Sequence, residues 1–412
     1  MQVFVQELRR MLKSSLTRVL VGGVMAIALI LFVVTMVSTP FFTYRDGAVV
    51  KESGPAAIRL YREQAETIPD ELSGEYLAGL FESYRAIRAQ YGEDIPPEIY
   101  YRDVFPYYQL MNMVRFDYYD PVTEHLPQLE DISPEMAAGY YEQHAQSMEL
   151  VFERIAQANP AAEAHYRRLN EQVVTPYTYV PDGGWRDGVD YLVVCVFLVA
   201  LVGVVLASSS FAGEYQTGSD DILRSTQHGR KSLATAKIMA TLTVTTLTFV
   251  LSVGLLLILL MATLGTDFFT SSVQAVMSSS MAAPLTFGSM LAIVLAGGLL
   301  SVLAVTAFSL FVSSRCGSPV VALVISLATT FVPTFLTFIG VDFAPVVWLR
   351  ALLPSAGVGL GSGLFYALQY PDCLPAAGLA IWQPYAMVLF AAVEIPIFIL
   401  LARWTYAKRR TQ

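Results

Sequence analysis

Charge is what this chain has least of. Only 15% of its 412 residues are Asp, Glu, Lys or Arg, while 55% are apolar, a balance that a water-soluble globular domain does not have. Its three cysteines, Cys195, Cys316 and Cys373, lie in segments of different character and cannot form a disulfide framework. The four histidines, His125, His144, His165 and His228, show no metal-ligand spacing. The G-x-x-x-x-G-K-[ST] pattern is missing, since Gly229-Arg230-Lys231-Ser232 has neither the distant glycine nor the adjacent Gly-Lys pair, so the sequence holds no phosphate loop of its own. Internal repeats and low-complexity linkers are absent too. No apolar run contains a Ser-His pair or two aspartates, so an intramembrane protease has little support.

What is present is apolar sequence gathered into long blocks. A helix needs about 20 apolar residues to cross the hydrocarbon core, and six windows qualify: 19–37, 191–211, 238–264, 287–312, 320–339 and 385–402. Basic residues near span ends stay on the cytoplasmic side. Arg9, Arg10, Lys13 and Arg18 precede the first window, Arg224, Arg230, Lys231 and Lys237 lie between the second and third, Arg315 follows the fourth, and Arg403, Lys408, Arg409 and Arg410 follow the sixth. Both termini are therefore expected inside. The opposite short loops carry only Arg350, and Trp185, Trp348 and Trp382 fall where outer interfacial anchors belong, with Trp404 near the inner boundary.

The segment 40–188 holds 25 of the 34 acidic residues but 12 of the 26 basic ones, a net charge of −13. It is expected to be an acidic extracytoplasmic domain between spans 1 and 2. Its sign disfavours nucleic acid as a partner. Four stretches, 56–67, 71–90, 134–158 and 161–173, are rich in helix formers with turn residues between them, so the domain is expected to be helical rather than stranded. Tyr100, Tyr101, Tyr107, Tyr108, Tyr118, Tyr119, Tyr140 and Tyr141 make it strongly aromatic, either as a core with hydroxyls bonded at its rim or as a surface for an amphipathic or peptide ligand.

At the start of the chain, Arg9-Arg10 before an apolar run has the look of a twin-arginine signal. The run is longer than a signal core, and Pro40 after Ser38-Thr39 makes a poor cleavage context, so it is read as an uncleaved first span at 19–39. Before it, in 1–18, Phe4, Leu8, Met11, Leu12, Ser15 and Leu16 share one helical face, with Gln6, Arg9 and Lys13 turned away, as in an amphipathic helix on the inner membrane surface.

Two features stand out in the remaining region, 189–412. Gly357, Gly359, Gly361 and Gly363 alternate within 341–384, without the spacing or preceding strand of a dinucleotide loop, so closely packed or re-entrant backbone is expected there. Glu394 is the one carboxylate deep in a span, beside Pro396. An acid in that position faces protein or water, either as a structural partner of a neighbouring span or in a substrate or ion path.

The hairpin 212–237 is polar between two apolar windows. Ser219, followed by Asp220 and Asp221, has the form of a helix start, Gly229 that of a stop, and a short helix showing Ile222 and Leu223 is expected to lie crosswise at the inner surface. In order, Glu214, Gly218, Leu223, Ser225, Thr226, Arg230 and Lys237 resemble the second cytoplasmic hairpin of the permease subunits of type-2 ABC exporters, and the run from Thr175 to Trp185 resembles the approach to the second span in Gram-positive members. The layout is similar as well: an amphipathic N-terminal helix, six spans, and a domain between the first two, approached by Thr175-Pro176-Tyr177-Thr178-Tyr179 and Gly184-Trp185. Gln227-His228 departs from the family, where proline and a small residue are common.

The resemblance implies an all-α integral membrane permease in a bacterial cell membrane, paired with a second permease copy or a related one. A separate ABC ATPase subunit would hold ATP and magnesium. Glu214, Gly218, Asp220, Asp221, Leu223, Arg224 and Arg230 would couple to that subunit, the glycines at 357, 359, 361 and 363 would belong to an outer gate, and membrane lipids would surround the spans. Export of a hydrophobic or amphipathic substrate, such as a peptide antibiotic, lipid or drug, is the implied activity. Ion extrusion by the same class, or a non-transporting sensor or immunity protein binding an extracellular peptide, are its rivals.

Overall fold

The structure, a computed structural model, describes residues 2–120, 123–219, 230–341, 343–376 and 379–409. An amphipathic helix α1 (Gln2–Lys13) turns through Ser14 into α2 (Ser15–Ser38), the first of six helices among the described residues that are long and apolar enough to cross a membrane. Glu7 is the buried residue of α1, while Leu12, at 46% exposed, faces outward. Leu8 and Met11 pack against the bundle beside Glu7, while Val5 points outward with Leu12, where lipid would cover them.

The domain between α2 and the second span is mostly helical, as expected, but opens with a short β-hairpin that the sequence reading did not include. β1 (Phe41–Arg45) and β2 (Ala48–Glu52) pair antiparallel, and Asp46 and Gly47 form the two-residue turn with φ of +53° and +79°. Asp-Gly accepts positive φ at both positions at little cost, and that turn twists with its strands. Helices follow: α3 (Pro55–Ala65), α4 (Gly74–Tyr91), α5 (Tyr108–Phe116), α6 (Pro134–Ala138), α7 (Tyr140–Ala158) and α8 (Pro160–Asn170). Ser73 caps α4 by accepting the Tyr76 N–H at 3.1 Å, and the expected 134–158 helix is broken at Gly139.

Leu77, Phe81, Leu110, Val114, Ile132 and Tyr140 are fully buried among these helices. Tyr141 joins distant segments by donating to the Leu72 carbonyl at 2.7 Å and accepting the Tyr177 N–H at 2.8 Å. Tyr140, Tyr166, Tyr177 and Tyr179 are buried, whereas Tyr108 and Tyr119 are exposed, so the aromatics supply both a core and a surface.

The remaining spans are α9 (Trp185–Ser210), α11 (Lys231–Leu264), α12 (Phe287–Arg315), α13 (Pro319–Ile339) and α15 (Gln383–Lys408); a short α10 (Ala212–Thr217) continues from α9, and α14 (Ala344–Leu352) follows α13. The bundle is organised around α9: 72% of its most apolar stretch is buried, against 17% for α2. Close approach is permitted by Gly203, where an added Cβ would stand 2.3 Å from Thr306 Oγ1 and 3.1 Å from Thr245 Cγ2, so α9, α11 and α12 meet at a small residue. Buried hydroxyls return to their own helices: Thr248 donates to Val244 O at 2.8 Å and Thr306 to Val302 O at 2.7 Å.

Trp185 does not anchor in a lipid interface as expected. It is buried, its indole N–H donating to Gly265 O at 3.1 Å and its ring against Phe269. The domain reaches the bundle at three further places. Arg62 donates to Thr263 O at 2.9 Å; residues 178–180 exchange bonds with Ser271 and Ser272; and Asn159 donates to Leu379 O at 3.2 Å. That last contact lands on a second hairpin absent from the sequence reading, β3 (Cys373–Ala376) with β4 (Leu379–Trp382).

Candidate functional site

At the end of the bundle away from the domain, four charged side chains form a closed cluster. Glu214, in α10, accepts from the ammonium of Lys237 and from Arg10 Nη1 at 3.1 Å. Glu7 lies 3.4 Å from the same ammonium through each of its oxygens, and 2.8 Å from Arg10 Nη2. Lys237 is 2% exposed, and Glu7 and Glu214 are also buried. Arg10 is exposed at the edge of the cluster, and its charge with that of Lys237 balances the two acids, which is what permits the three buried ions. The second oxygen of Glu214, Oε2, has no hydrogen-bond partner among the described residues.

The backbone around Glu214 is set by α12. α9 bends at Phe211, and the Ser313 hydroxyl accepts the N–H groups of Phe211 and Ala212 at 3.2 and 3.1 Å while donating to Ser208 O at 2.8 Å. One side chain thereby serves the donors and an acceptor freed by the bend. Phe211 packs on the buried Tyr406 of α15, and Tyr215 stacks on the same ring with the Arg409 guanidinium 3.6 Å over its face. α10 ends at Gly218 with φ +68°. α1, α9, α11, α12 and α15 thus all grip the first turns of the hairpin.

Of the hairpin residues singled out in the sequence, Glu214 and Lys237 are brought together although 23 positions separate them. Gly218 forms the turn after α10, and Arg230 is exposed immediately before α11. Asp220, Asp221, Leu223, Arg224, Ser225 and Thr226 lie outside the described residues. Glu7 and Arg10 were missed as partners of the hairpin. Their signal was faint but present, since Glu7 is the sole acid before Asp46 and sits in a basic helix.

The alternating glycines stand at the domain end. After α14 the chain turns back between spans: the Ser355 hydroxyl donates to Thr329 O at 3.1 Å, ten residues before the end of α13 and so about 15 Å below it by helical rise. A Cβ on Gly357 would stand 2.2 Å from Ser301 Oγ, and one on Gly363 2.6 Å from Gly359 O. Gly361 has φ +70°. Glu394 stands apart from both regions, partly buried in α15, its Oε2 shielded from solvent and without a hydrogen-bond partner among the described residues.

A family model described as "ABC-2 family transporter protein" matches residues 27–357, most of the chain. The chain belongs to the ABC-2 transporter family. It is therefore a multi-pass permease of an ABC transporter, the membrane component that works with an ABC ATPase subunit. No curated protein matches this permease by sequence.

Proposed function

We propose that this permease exports a hydrophobic or amphipathic substrate from a bacterial cell, with both termini cytoplasmic and the 40–188 domain outside. In this reading the ATPase subunit, holding ATP and magnesium, docks on the hairpin 212–237 through Gly218, Asp220, Asp221, Leu223, Arg224 and Arg230. Two permeases, identical or related, move together as their ATPases close. The observation that carries the proposal is the Glu7–Arg10–Glu214–Lys237 cluster, because it ties the hairpin base to α1 and α11 through the buried Glu7, Glu214 and Lys237, with the exposed Arg10 at its edge. Displacement of the hairpin would then be passed to the spans rather than absorbed at its root. The glycines at 357, 359, 361 and 363 would act at the opposite end, as the outer gate.

The test is affinity purification of the tagged chain in mild detergent, with and without Arg224→Glu plus Arg230→Glu. These charges are chosen because Arg230 is exposed, whereas Glu214 is part of the folded core. An ATPase subunit that accompanies the wild type and is lost from the variant supports the docking surface; a wild type that brings down no ATPase overturns it. Ion extrusion is the second reading, favoured by the unpartnered Glu394 oxygen beside Pro396 within α15. It requires Glu394→Gln to abolish sodium or proton transport while assembly persists.

A further inference from the structure

A groove of about 640 Å³ opens on the outside of the bundle, between Lys231 at the start of α11 and residues 400–408 of α15. α15 turns Ala402 and Tyr406 inward, where they pack with Leu233, Ala234 and Ile238 of α11. Leu400, Leu401 and Trp404 face the other way and form an apolar floor, each between 37% and 60% exposed. On a membrane span such a floor is covered by acyl chains.

Three cations rim this floor. Lys231, Arg403 and Lys408 are exposed, and among the described residues no carboxylate pairs with any of them. Lys408 holds its ammonium 4.4 Å from the centre of the Trp404 ring, as a cation does at a membrane interface. Acids are lacking in the adjoining sequence as well, since α11 has none in its first turn and none follows Glu394. Lys237, six positions further along α11, is the contrast, because Glu7 and Glu214 neutralise it. The retention of basic residues on the cytoplasmic side accounts for the end of the bundle they occupy. It does not account for three of them, from two helices, rimming one apolar groove without counter-ions.

We propose that this groove binds an anionic glycerophospholipid of the phosphatidylglycerol class. The phosphodiester lies among Lys231, Arg403 and Lys408, the guanidinium offering a fork of donors and the two ammonium groups point charges. The acyl chains run along Leu400, Leu401 and Trp404. A lipid suits the site better than a soluble phosphate because its floor is apolar and belongs to a span. Tyr406, on the opposite face of the same turns of α15, packs against Phe211 and Tyr215 at the base of the hairpin, so the bound lipid braces the segment on which the hairpin rests. Its leaflet is the cytoplasmic one in the orientation proposed above; the binding itself does not depend on that orientation.

The probe is phosphatidylglycerol carrying a diazirine in one acyl chain, with phosphatidylcholine carrying the same diazirine as its control. Full-length protein in phosphatidylcholine nanodiscs doped with either probe is irradiated, and the labelled residues are mapped by mass spectrometry. The anionic probe is expected to label 400–408 about tenfold or more above the control. Unlabelled phosphatidylglycerol is expected to remove the excess, as is the combined variant Lys231→Gln, Arg403→Gln and Lys408→Gln. Labelling of α13, where Val320 and Val324 are exposed, is expected to stay unchanged and checks that the variant is folded. Equal labelling of 400–408 by the two probes overturns the proposal. So does an equal excess along α1, where Arg9, Lys13 and Arg18 are also exposed, since that is a diffuse effect of charge. Displacement by inorganic phosphate but not by phosphatidylglycerol assigns the groove to a soluble anion and overturns the lipid. The comparison of probes on wild type decides even if the variant does not fold. The assay contains no ATPase, so its failure is distinct from failure of the ATPase capture.

Discussion

Lys237 is the residue on which the hairpin end depends most. Its ammonium is enclosed by Glu7 and Glu214 at the start of a span, and removing one member leaves opposite charge buried without compensation. Lys237→Met is expected to destabilise the folded protein by roughly 3–5 kcal/mol, read as a lower unfolding midpoint in detergent. Adding Glu214→Gln to it is expected to recover part of the loss, because the two side chains act as one unit; additive costs would show that they do not. Asp182 gives the second test at this scale. Burial pushes its carboxyl up to about 6 from an ordinary 3.8, against the opposing Arg186 N–H and guanidinium. The folded state therefore binds the proton more tightly than the unfolded state. The associated stability is full below about pH 4 and is lost as pH rises through 6. Asp182→Asn keeps the acceptor oxygen for Arg186 and is expected to flatten thermal stability across that window relative to wild type.

Among the elements, the segment after α14 is the most tightly constrained. The Ser301 hydroxyl occupies the space a Cβ on Gly357 would need, so Gly357→Ala forces α12 and the segment apart. A cost of about 1–3 kcal/mol is expected from such overpacking, measured by thermal unfolding, and Ser301→Ala in the same chain is expected to relieve it. The glycines are visible in the sequence but not their partners, because Ser301 and Thr329 belong to spans whose order in space no periodicity records. The two β-hairpins show different degrees of legibility. β1–β2 announces itself through Asp46-Gly47 between Phe-Phe-Thr-Tyr and Ala-Val-Val, a signal outweighed by the helix formers that follow. In β3–β4, Leu379 is exposed and Leu374 buried, and little in that short stretch marks it as strand.

For the whole molecule, the domain rests on both the 265–286 and the 341–384 connections, through Ser271 and Ser272 on one side and Leu379 on the other. Motion of the spans would thus reach it from two directions. Its proposed placement outside the cell is tested with single cysteines in a chain whose Cys195, Cys316 and Cys373 are replaced by serine. Val174, 78% exposed in the domain segment, and Trp404, 53% exposed near the opposite end, are the positions. In intact cells an impermeant maleimide is expected to label Val174→Cys and to spare Trp404→Cys until the membrane is opened; the opposite pattern inverts the orientation.

The six spans were legible in the linear sequence, because in hydrocarbon each helix must satisfy its own backbone bonds and about 20 apolar residues are its local signature. So was the hairpin as a polar break carrying Glu214 and Lys237. Only the tertiary structure decided that these two meet with Glu7 and Arg10 and that Ser313 supports the bend in α9. It also decided that Trp185 is buried. Each of those outcomes depends on which helix faces come together, and that is settled by packing between segments far apart in the chain.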